Sequence, residues 1–543
     1  MPRRAAVALT AALAAGIAAG CSATPHYVPG GTTYYVSPGG HDSADGTSAD
    51  AAWRSLARAD KARMQPGDRL LLEGGARFTG TVTIGRDEAG DAGRPVTVGS
   101  YGGGRATIAA TARTPGVSVH DTAGVEIRDL TLTGPGARRT GEAGVNLHAD
   151  TRSDHGRRHV TVEDVDVSGF RVGVAVGATG AAGDGGGFRD VTVRRADLHG
   201  NRDAGLLTYG PAFDPKHPAY AHEDVVLEAV RAHDNAGDPT ATRRHTGNGI
   251  VLGGVRDATV RDSTAHDNGG RSAHKAPAGP VGVWAYDSTR VLIEHNSAYR
   301  NHTGSKVDGG GFGLDSNVSH STVQYNTSFH NDGSGYYVYS ATGNGAHVDN
   351  TIRWNVSADD GRKLPRHGAL TVYGSHVRDL SIYQNTVTMS RSPGGPGTVV
   401  LLRPDNSGVS LRNNVFVSDG DPLVSADEAL TTDRVVFQGN QYHAASGRWR
   451  VQWGKDHYPD LAAWRSATGQ ERVNGSPSGT SADPCPAGGA LPDVGKPADA
   501  RLLTPHCPQP GLDLRARFGI DAPEADLFGH PVPTPPVIGA VQP

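Results

Sequence analysis

The sequence between about residue 245 and residue 440 repeats itself roughly every 29 residues, and this period constrains the fold more than any other feature. Six asparagines follow short β-type runs at spacings of 30, 29, 30, 29 and 26 residues: Asn296, Asn326, Asn355, Asn385, Asn414 and Asn440. A fixed period of 20–50 residues indicates a solenoid, a propeller or an array. A propeller blade needs about 40–45 residues, and no 3.6-residue apolar pattern indicates helical repeats. The period therefore predicts an all-β fold, a parallel β-helix (solenoid) with one turn per repeat.

A second asparagine column has spacings of 33, 33 and 30 residues: Asn235, Asn268, Asn301 and Asn331. Asparagine tolerates left-handed backbone at turns, and stacked identical amides can bond from rung to rung. Both columns are therefore predicted to be structural ladders.

A glycine recurs before the predicted strands, in segments such as Gly144-Val-Asn-Leu and Gly282-Val-Trp-Ala. Because side chains alternate along a strand, the first and third residues after each glycine should share one face. These positions are nearly all apolar and are predicted to fill the interior. The second and fourth positions should then face outward, and they include His148, Tyr209, Trp284, Tyr286, Asp315, Tyr337 and Tyr339.

The outward aromatic residues on consecutive rungs predict a strip with steps of about 4.8 Å. Such a strip matches a carbohydrate chain, because sugar faces stack on aromatic rings. Aromatic packing between rungs under a long loop is the alternative. The coincidence of the aromatics with carboxylates favours a groove.

The N-terminus has the layout of a signal peptide. Arg3 and Arg4 precede an apolar run that ends at Ala19, and Gly20 and Cys21 follow. We expect a signal peptide at 1–20, lipidation of Cys21 and a tether at 21–33. Ordinary cleavage and free secretion is the alternative. The expected location is extracellular, with the membrane contacted only through the lipid anchor.

The remaining two of the three cysteines, Cys485 and Cys507, are then predicted to form a disulfide in an oxidising exterior. No Cys/His cluster has zinc spacing. A net charge of −4 gives no electrostatic reason to expect a nucleic-acid partner. The predicted organisation is an N-terminal cap and first irregular coils at 34–116, regular coils at 117–442 and a C-terminal cap at 443–543, in a monomer.

Several segments resemble the secreted right-handed parallel β-helix proteins related to pectate lyases and polygalacturonases. These segments are TYYVSPGGHDSADGTS, PGDRLLLEGG, the coils, GPVGVWAYDS, KVDGGGFGLDSNVSHSTVQYNTSFHNDGSGYYVY and DLFGHP…IGA. The resemblance covers most of the mature chain. It implies a right-handed β-helix that acts on polysaccharides, as a hydrolase or a lyase. The chain departs from the pattern at Gly313, where similar proteins often carry Asp.

A glycoside hydrolase needs a carboxylic acid and a carboxylate on either side of the scissile bond, about 5–5.5 Å apart for retention or 6.5–9.5 Å for inversion. Asp287 and Asp315 are predicted at the outer ends of adjacent rungs, and their separation could fall in either range. Asp308 enters from the loop before the strand that carries Asp315. A turn residue or a calcium ligand is the alternative for each. We expect Asp315 to be catalytic with Asp308 and Asp287 as partners, supported by Lys306 and His245.

The alternative lyase would use Lys306 as the base, with the three aspartates as Ca²⁺ ligands, since calcium prefers oxygen ligands. A non-catalytic glycan-binding surface lipoprotein is the second alternative. In each case the expected partner is a polysaccharide. The residues expected to contact it are Trp284, Tyr286, Tyr337, Tyr339, Tyr209 and His330.

Overall fold

The computed structural model describes residues 30–153, 156–180, 185–364, 367–392, 397–486 and 491–543. The predicted signal peptide, Cys21 and residues 21–29 of the predicted tether lie outside these ranges. None of the helices within them is both long enough and apolar enough to cross a membrane.

The chain forms a parallel β-solenoid in which each full turn contributes strands to three rows. One row is a separate sheet of 14 strands, parallel except for its last pair, and it is called the site face below. Its strands are Val82–Ile84, Val117–His120, Ala143–Ala149, Val172–Ala178, Ala204–Tyr209, Asn248–Gly253, Val281–Tyr286, Gly310–Leu314, Tyr336–Ser340, Gly368–Gly374, Thr398–Leu402, Val424–Ala426, Val451–Trp453 and Asp456–Tyr458.

The other two rows join into one sheet of 25 strands, because two long strands run through both rows. The first row contains Thr33–Val36, Arg69–Glu73, Val96–Tyr101, Val125–Thr133, Arg157–Ser168, Phe188–Arg194, His222–Glu228, Val255–Arg261, Thr289–Glu294, Thr322–Gln324, Thr351–Arg353, Ser381–Tyr383, Val409–Arg412 and Val435–Gln438. The second row shares the two long strands and adds Arg77–Thr79, Ala106–Ala109, Asp197–His199, Arg231–His233, Thr264–His266, Ser297–Tyr299, Thr327–Phe329, Val356–Ala358, Thr386–Met389, Val415–Ser418 and Gln441–Ala444.

The remaining elements are short and lie at turns and ends. Two further strand pairs are His347–Val348 with Val377–Arg378 and Arg472–Val473 with Ser476–Pro477. The α-helices are Leu56–Ala59, Leu461–Thr468 and Leu514–Phe518, and the 3₁₀ helices are Ala49–Ala51 and Pro497–Leu503.

The interior of the solenoid is filled by the apolar residues that alternate along the strands. Successive rungs of the site face place these buried neighbours in one continuous core: Val145, Val174, Leu206, Ile250, Val283 and Phe312. Two-residue alternation along each strand thus explains which side chains face inward and which are left for the outer surface.

Both asparagine columns are hydrogen-bonded ladders, as the spacing predicts. Each amide nitrogen donates to the amide oxygen one rung on, as from Asn326 to Asn355 at 3.0 Å. Both ladders end on a buried carboxylate. Asn440 donates to Glu471 at 2.7 Å, and Asn331 donates to Asp360 at 2.8 Å. A carboxylate suits the last rung because it only accepts hydrogen bonds, and only donors reach it.

The parallel pairing extends beyond the predicted coil boundaries at both ends. Thr33–Val36 already pairs in parallel with Arg69–Glu73, so the regular pairing begins within the segment predicted as the N-terminal cap and first irregular coils. At the other end, Val424–Ala426 pairs with Val451–Trp453, beyond residue 442. The segment from Leu461 onward then covers the open end of the core, where Trp464 is fully buried.

The last part of the chain runs back along the second row of strands. Val494, Leu503 and Val541 form a small apolar cluster with Phe329 and other residues of that row. Cys485 and Cys507 form a disulfide that joins positions 22 residues apart.

Candidate active site

A cavity of about 250 Å³ opens on the site face, where loops before two strands rise beside the outward-facing side chains. It contains two carboxyl groups and three phenols, walled by apolar loop residues. Its lining residues are Pro277, Ala278, Val307, Asp308, Asp315, Tyr337, Tyr339 and Tyr373.

Asp308 lies in the loop immediately before the strand Gly310–Leu314. Its backbone has a positive φ of 59°, a conformation that Asp tolerates better than most residues. The carboxyl oxygen Oδ2 accepts one hydrogen bond, from the backbone N–H of Gly279 at 2.6 Å. Burial, and to a smaller degree the charge of Asp315, raises the pKa of Asp308 to about 7. Asp308 therefore holds a proton through the mildly acidic range.

Asp315 follows the end of the same strand, where its backbone N–H donates to the carbonyl of Ala285. Its Oδ1 accepts hydrogen bonds from the N–H of Ser316 at 2.6 Å and the hydroxyl of Ser316 at 3.0 Å. Its Oδ2 accepts one from the phenol of Tyr337 at 3.3 Å. Burial raises the pKa of Asp315, and these three donors act against that rise. The two carboxyls thus have different environments: Asp308 accepts one hydrogen bond at its carboxyl group and Asp315 accepts three.

The three tyrosines lie on the rungs that follow Asp315. Tyr337 lines the cavity but is only 5% exposed, so little of its ring is open to a ligand. Tyr339 and Tyr373 are half-buried and directly adjacent in the sheet register. Burial raises the pKa of each of these phenols, so all three stay protonated near neutral pH.

Tyr373 is a cavity residue that the sequence analysis missed. The glycine alignment places Gly368 beside Gly335, but in the structure Tyr336 pairs with Leu370, so the register is offset by one residue there. A shift of one residue exchanges inward and outward positions. The apolar residues Leu370 and Val372, both buried, were the signal that could have corrected the alignment.

None of the described residues that line the cavity carries a positive charge. The guanidinium of Arg403 lies 5.9 Å from the ring centre of Tyr373, but it is paired with Asp427. Lys306 is exposed and does not line the cavity. Its predicted role beside the carboxylates is therefore not supported by its position.

Asp287 was expected to face the substrate, but in the structure it lies beside the cavity and contacts a neighbouring loop. Its half-buried carboxylate accepts a hydrogen bond from the side chain of Asn317. Asn317 in turn accepts one from the backbone N–H of Gly345, and Gly345 closely approaches Phe213 in a long loop. Asp287 thus supports the loops beside the cavity without lining it.

Trp284 and His245 are also removed from the substrate side. Trp284 is 6% exposed, and its indole N–H donates to Asn248 at 3.1 Å. The ring of His245 packs edge-on against Trp284, and its Nδ1 lies 3.0 Å from the amide nitrogen of Asn248. Burial lowers the pKa of His245, so it is a neutral packing residue. With 6% of its surface exposed, Trp284 offers little of its ring for stacking on a sugar.

Tyr286 and Tyr209 face outward on earlier rungs, as alternation predicts, but they do not line the cavity. The ring of Tyr286 lies over Gly253 of the preceding rung and packs against Trp284 of its own strand at 5.3 Å. The hydroxyl of Tyr209 lies 3.3 Å from Nδ1 of His148. Cross-rung packing, the alternative to a sugar strip, describes these two residues.

His330 lies on a different face, at the end of the strand Thr327–Phe329, and does not line the cavity that contains Asp308 and Asp315. It pairs with Asp493 of the C-terminal segment at 2.8 Å. Together with Asp359, these residues bring three potential metal ligands within 4.8 Å of one another. Arg362 lies 3.7 Å from Asp359 and competes for that carboxylate.

A second such group contains His120, Asp121 and Asp150. Asp121 is already bonded to the guanidinium groups of Arg86 and Arg157, at 2.8 and 2.7 Å. Among the described residues, Asp287, Asp308 and Asp315 do not form a group of this kind. The three predicted calcium ligands thus do not form one metal-binding group, although Asp308 and Asp315 line the same cavity.

Comparison with known proteins gives one family and several distant relatives. A model described as a right handed beta helix region matches residues 112–416. The lacto-N-biosidase of Bifidobacterium longum subsp. longum is 24% identical over 485 residues, a match that covers 72% of this chain and 29% of that protein. The chain therefore spans less than a third of the length of this curated relative.

Two solved structures match most of the chain at low sequence identity. The GH136 lacto-N-biosidase from Eubacterium ramulus gives a TM-score of 0.49 at 16% identity, covering 78% of this chain and 68% of that one. XylC in complex with xylose gives a TM-score of 0.49 at 9% identity, covering 94% and 98%.

Proposed function

The chain belongs to the right-handed β-helix family, and from this premise we propose that it is a glycoside hydrolase that cleaves a glycan in the cavity between Asp308 and Asp315. The match to the curated relative covers 72% of this chain, and that relative is named a lacto-N-biosidase, a glycoside hydrolase. That name is a lead to the reaction class, since the sequences are only 24% identical.

The observation that carries the proposal is the contrast between the two carboxyl groups. Asp308 has a pKa of about 7 and one hydrogen-bond donor, so it keeps its proton. Asp315 has three donors, which favour its ionised form. Pairs of carboxyls whose environments differ in this way supply the acid and the base of glycosidases.

In the proposed reaction, Asp308 donates its proton to the glycosidic oxygen as the bond from the anomeric carbon to that oxygen breaks. The carboxylate of Asp315 stabilises the positive charge that develops at the anomeric carbon. Asp315 either attacks that carbon or removes a proton from the attacking water. If Asp315 attacks, water later displaces it, supplies the hydroxyl at the anomeric carbon and gives its proton to Asp308. If Asp315 acts as the base, water supplies that hydroxyl directly and its proton goes to Asp315, and exchange with solvent then ionises Asp315 and protonates Asp308 again. Tyr339 and Tyr373 offer phenol rings and hydroxyls to the sugar.

The lining of the cavity favours a neutral sugar over a uronate. A lyase needs a cation that neutralises the substrate carboxylate and a base that removes the adjacent proton. The described lining residues include no Lys or Arg, and the ionised carboxylate of Asp315 would repel a uronate. Elimination, with or without Ca²⁺, is therefore the less favoured reaction. Binding without cleavage is also less favoured, because it gives no reason for a protonated Asp308 beside Asp315.

We further propose an extracellular, lipid-anchored location for the protein. The support is the signal-peptide layout before Cys21 in the sequence and the disulfide between Cys485 and Cys507. Disulfides persist in oxidising compartments and are rare in the cytosol. Metabolic labelling of Cys21 with a fatty acid in the producing bacterium, with Cys21→Ser as the control, tests this location.

The function is tested with a panel of neutral and acidic glycans, with and without EDTA. Reducing ends report hydrolysis, and absorbance of an unsaturated uronide reports elimination. We expect reducing ends without that absorbance, insensitive to EDTA, and loss of turnover in Asp308→Asn and Asp315→Asn. Asp349→Asn, at an exposed aspartate paired with His320, is the matched control and should keep activity. EDTA-sensitive absorbance would overturn hydrolysis, and tight binding without either product would overturn catalysis on the glycans tested.

A further inference from the structure

Gly313 and Tyr337 face each other on adjacent rungs of the site face. A Cβ atom at position 313 would lie 2.2 Å from two ring carbons of Tyr337. Real side chains do not approach so closely, so the phenol ring occupies the space that any side chain at 313 would need. Position 313 is also where the resemblance leads us to expect Asp. In this chain a buried ring takes that place.

Seated on Gly313, the ring directs its hydroxyl to Oδ2 of Asp315, at 3.3 Å. The other two donors to Asp315 come from the adjacent residue Ser316 and bind Oδ1. Tyr337 therefore supplies the hydrogen bond that reaches Oδ2 from another rung. Because burial raises the pKa of Tyr337 well above its usual value, its phenol remains a donor throughout the physiological range.

The same packing of a tyrosine over a glycine occurs on earlier rungs, with different consequences. A Cβ at Gly177 would lie 2.1 Å from the ring of Tyr209, and one at Gly253 would lie 2.3 Å from the ring of Tyr286. The hydroxyl of Tyr209 reaches His148, which is not part of the cavity. The Gly313 position thus adapts a repeated packing feature to a carboxylate of the cavity.

We propose that Tyr337 is a positioning residue that, seated on Gly313, fixes Oδ2 of Asp315 and stabilises its carboxylate form through this hydrogen bond. The hydrogen bond and its effect on Asp315 stand on the geometry alone. Their consequence for turnover rests on the proposed function.

Tyr337→Phe is the sharpest test, because it keeps the ring over Gly313 and removes only the hydroxyl. The titration of Asp315 is followed by NMR of ¹³C-carboxyl-labelled aspartate, and Asp315→Asn assigns the signal. Removing one hydrogen bond to the charged form should raise the midpoint by about 0.5–1 pH unit. Carrying out the titration in an Asp308→Asn background removes the interaction between the two carboxyls.

Gly313→Ala is the second variant, since its methyl group must displace the ring and should produce a similar rise. Tyr339→Phe is the matched control: Tyr339 lines the same cavity, but its hydroxyl makes no hydrogen bond to a described residue, so the midpoint should stay in place. An unchanged midpoint in Tyr337→Phe, or an equal shift in Tyr339→Phe, would overturn the proposal.

The titration needs no substrate, so it separates this proposal from the proposed function. If a substrate is found, the acid limb of the kcat/KM profile should move with the titration in Tyr337→Phe. If the midpoint of Asp315 shifts in Tyr337→Phe but the protein cleaves no glycan, the hydrolase proposal is contradicted. The role of Tyr337 toward Asp315 is then still supported.

Discussion

Asp308 decides how turnover should depend on pH. Its pKa of about 7 means that the proton needed by the leaving oxygen is lost as pH rises through neutrality. We predict a kcat/KM profile that falls above about pH 7, with an acid limb set by Asp315. Asp308→Asn should remove the alkaline limb together with about 10²–10⁴-fold of the rate, the usual contribution of a general acid. An alkaline limb far above pH 7 would show that another group donates the proton.

The same residue should destabilise the folded protein at higher pH. Its folded-state pKa is raised from 3.8 to about 7, so the stability that its neutral form contributes is present below about pH 4 and is lost as pH rises to 7. In Asp308→Asn the side chain cannot ionise, so the variant does not lose this stability. We predict that it is more stable than the wild type by about 2–4 kcal/mol at pH 8 and similar to it near pH 4, measured by urea unfolding. A constant difference across this range would contradict the prediction.

At the scale of one rung, the carboxylate that ends each asparagine ladder should be irreplaceable by an amide. Oε1 of Glu471 accepts from Asn440 and Tyr442, and Oε2 accepts from the N–H of Gly439 at 2.6 Å. A glutamine would turn an N–H₂ group toward one set of these donors. We predict that Glu471→Gln costs about 1–3 kcal/mol by denaturant unfolding. Glu524→Gln, at an exposed position, is the control and should change stability little.

The period of the ladders could be predicted because each rung repeats the same chemical need. Asn326 and its equivalents must satisfy buried backbone groups, so the residue type recurs at every turn. The outward face has no such constraint. Its glycine alignment holds from Gly144 to Gly335 and then fails at Gly368, where register depends on pairing between rungs that a local pattern does not contain. Tyr373 was missed for that reason.

The loops limited the prediction of the site more than the coils did. Alternation correctly placed Trp284 on the outer side of its strand, but the sequence did not indicate that His245 and neighbouring loop residues would bury it. Asp308 and Asp315 lie only seven residues apart around one short strand, so their proximity could be predicted locally. Which aromatic residues remain accessible depends on loops from several turns of the solenoid.

For the whole molecule, the disulfide should hold the C-terminal segment to the solenoid without stabilising the solenoid itself. The bridge closes a loop of 22 residues, worth about 3 kcal/mol in the loop-entropy model. The segment beyond it packs against Phe329 through Val494, Leu503 and Val541.

We predict that Cys485→Ser with Cys507→Ser accelerates amide hydrogen exchange in 491–543 while the ladder strands exchange as in the wild type. The reduced wild type is the control and should match the double variant. Because the cavity that contains Asp308 and Asp315 shares no residue with this segment, glycan cleavage should persist; faster exchange throughout the coils would show instead that the segment and the solenoid unfold as one cooperative unit.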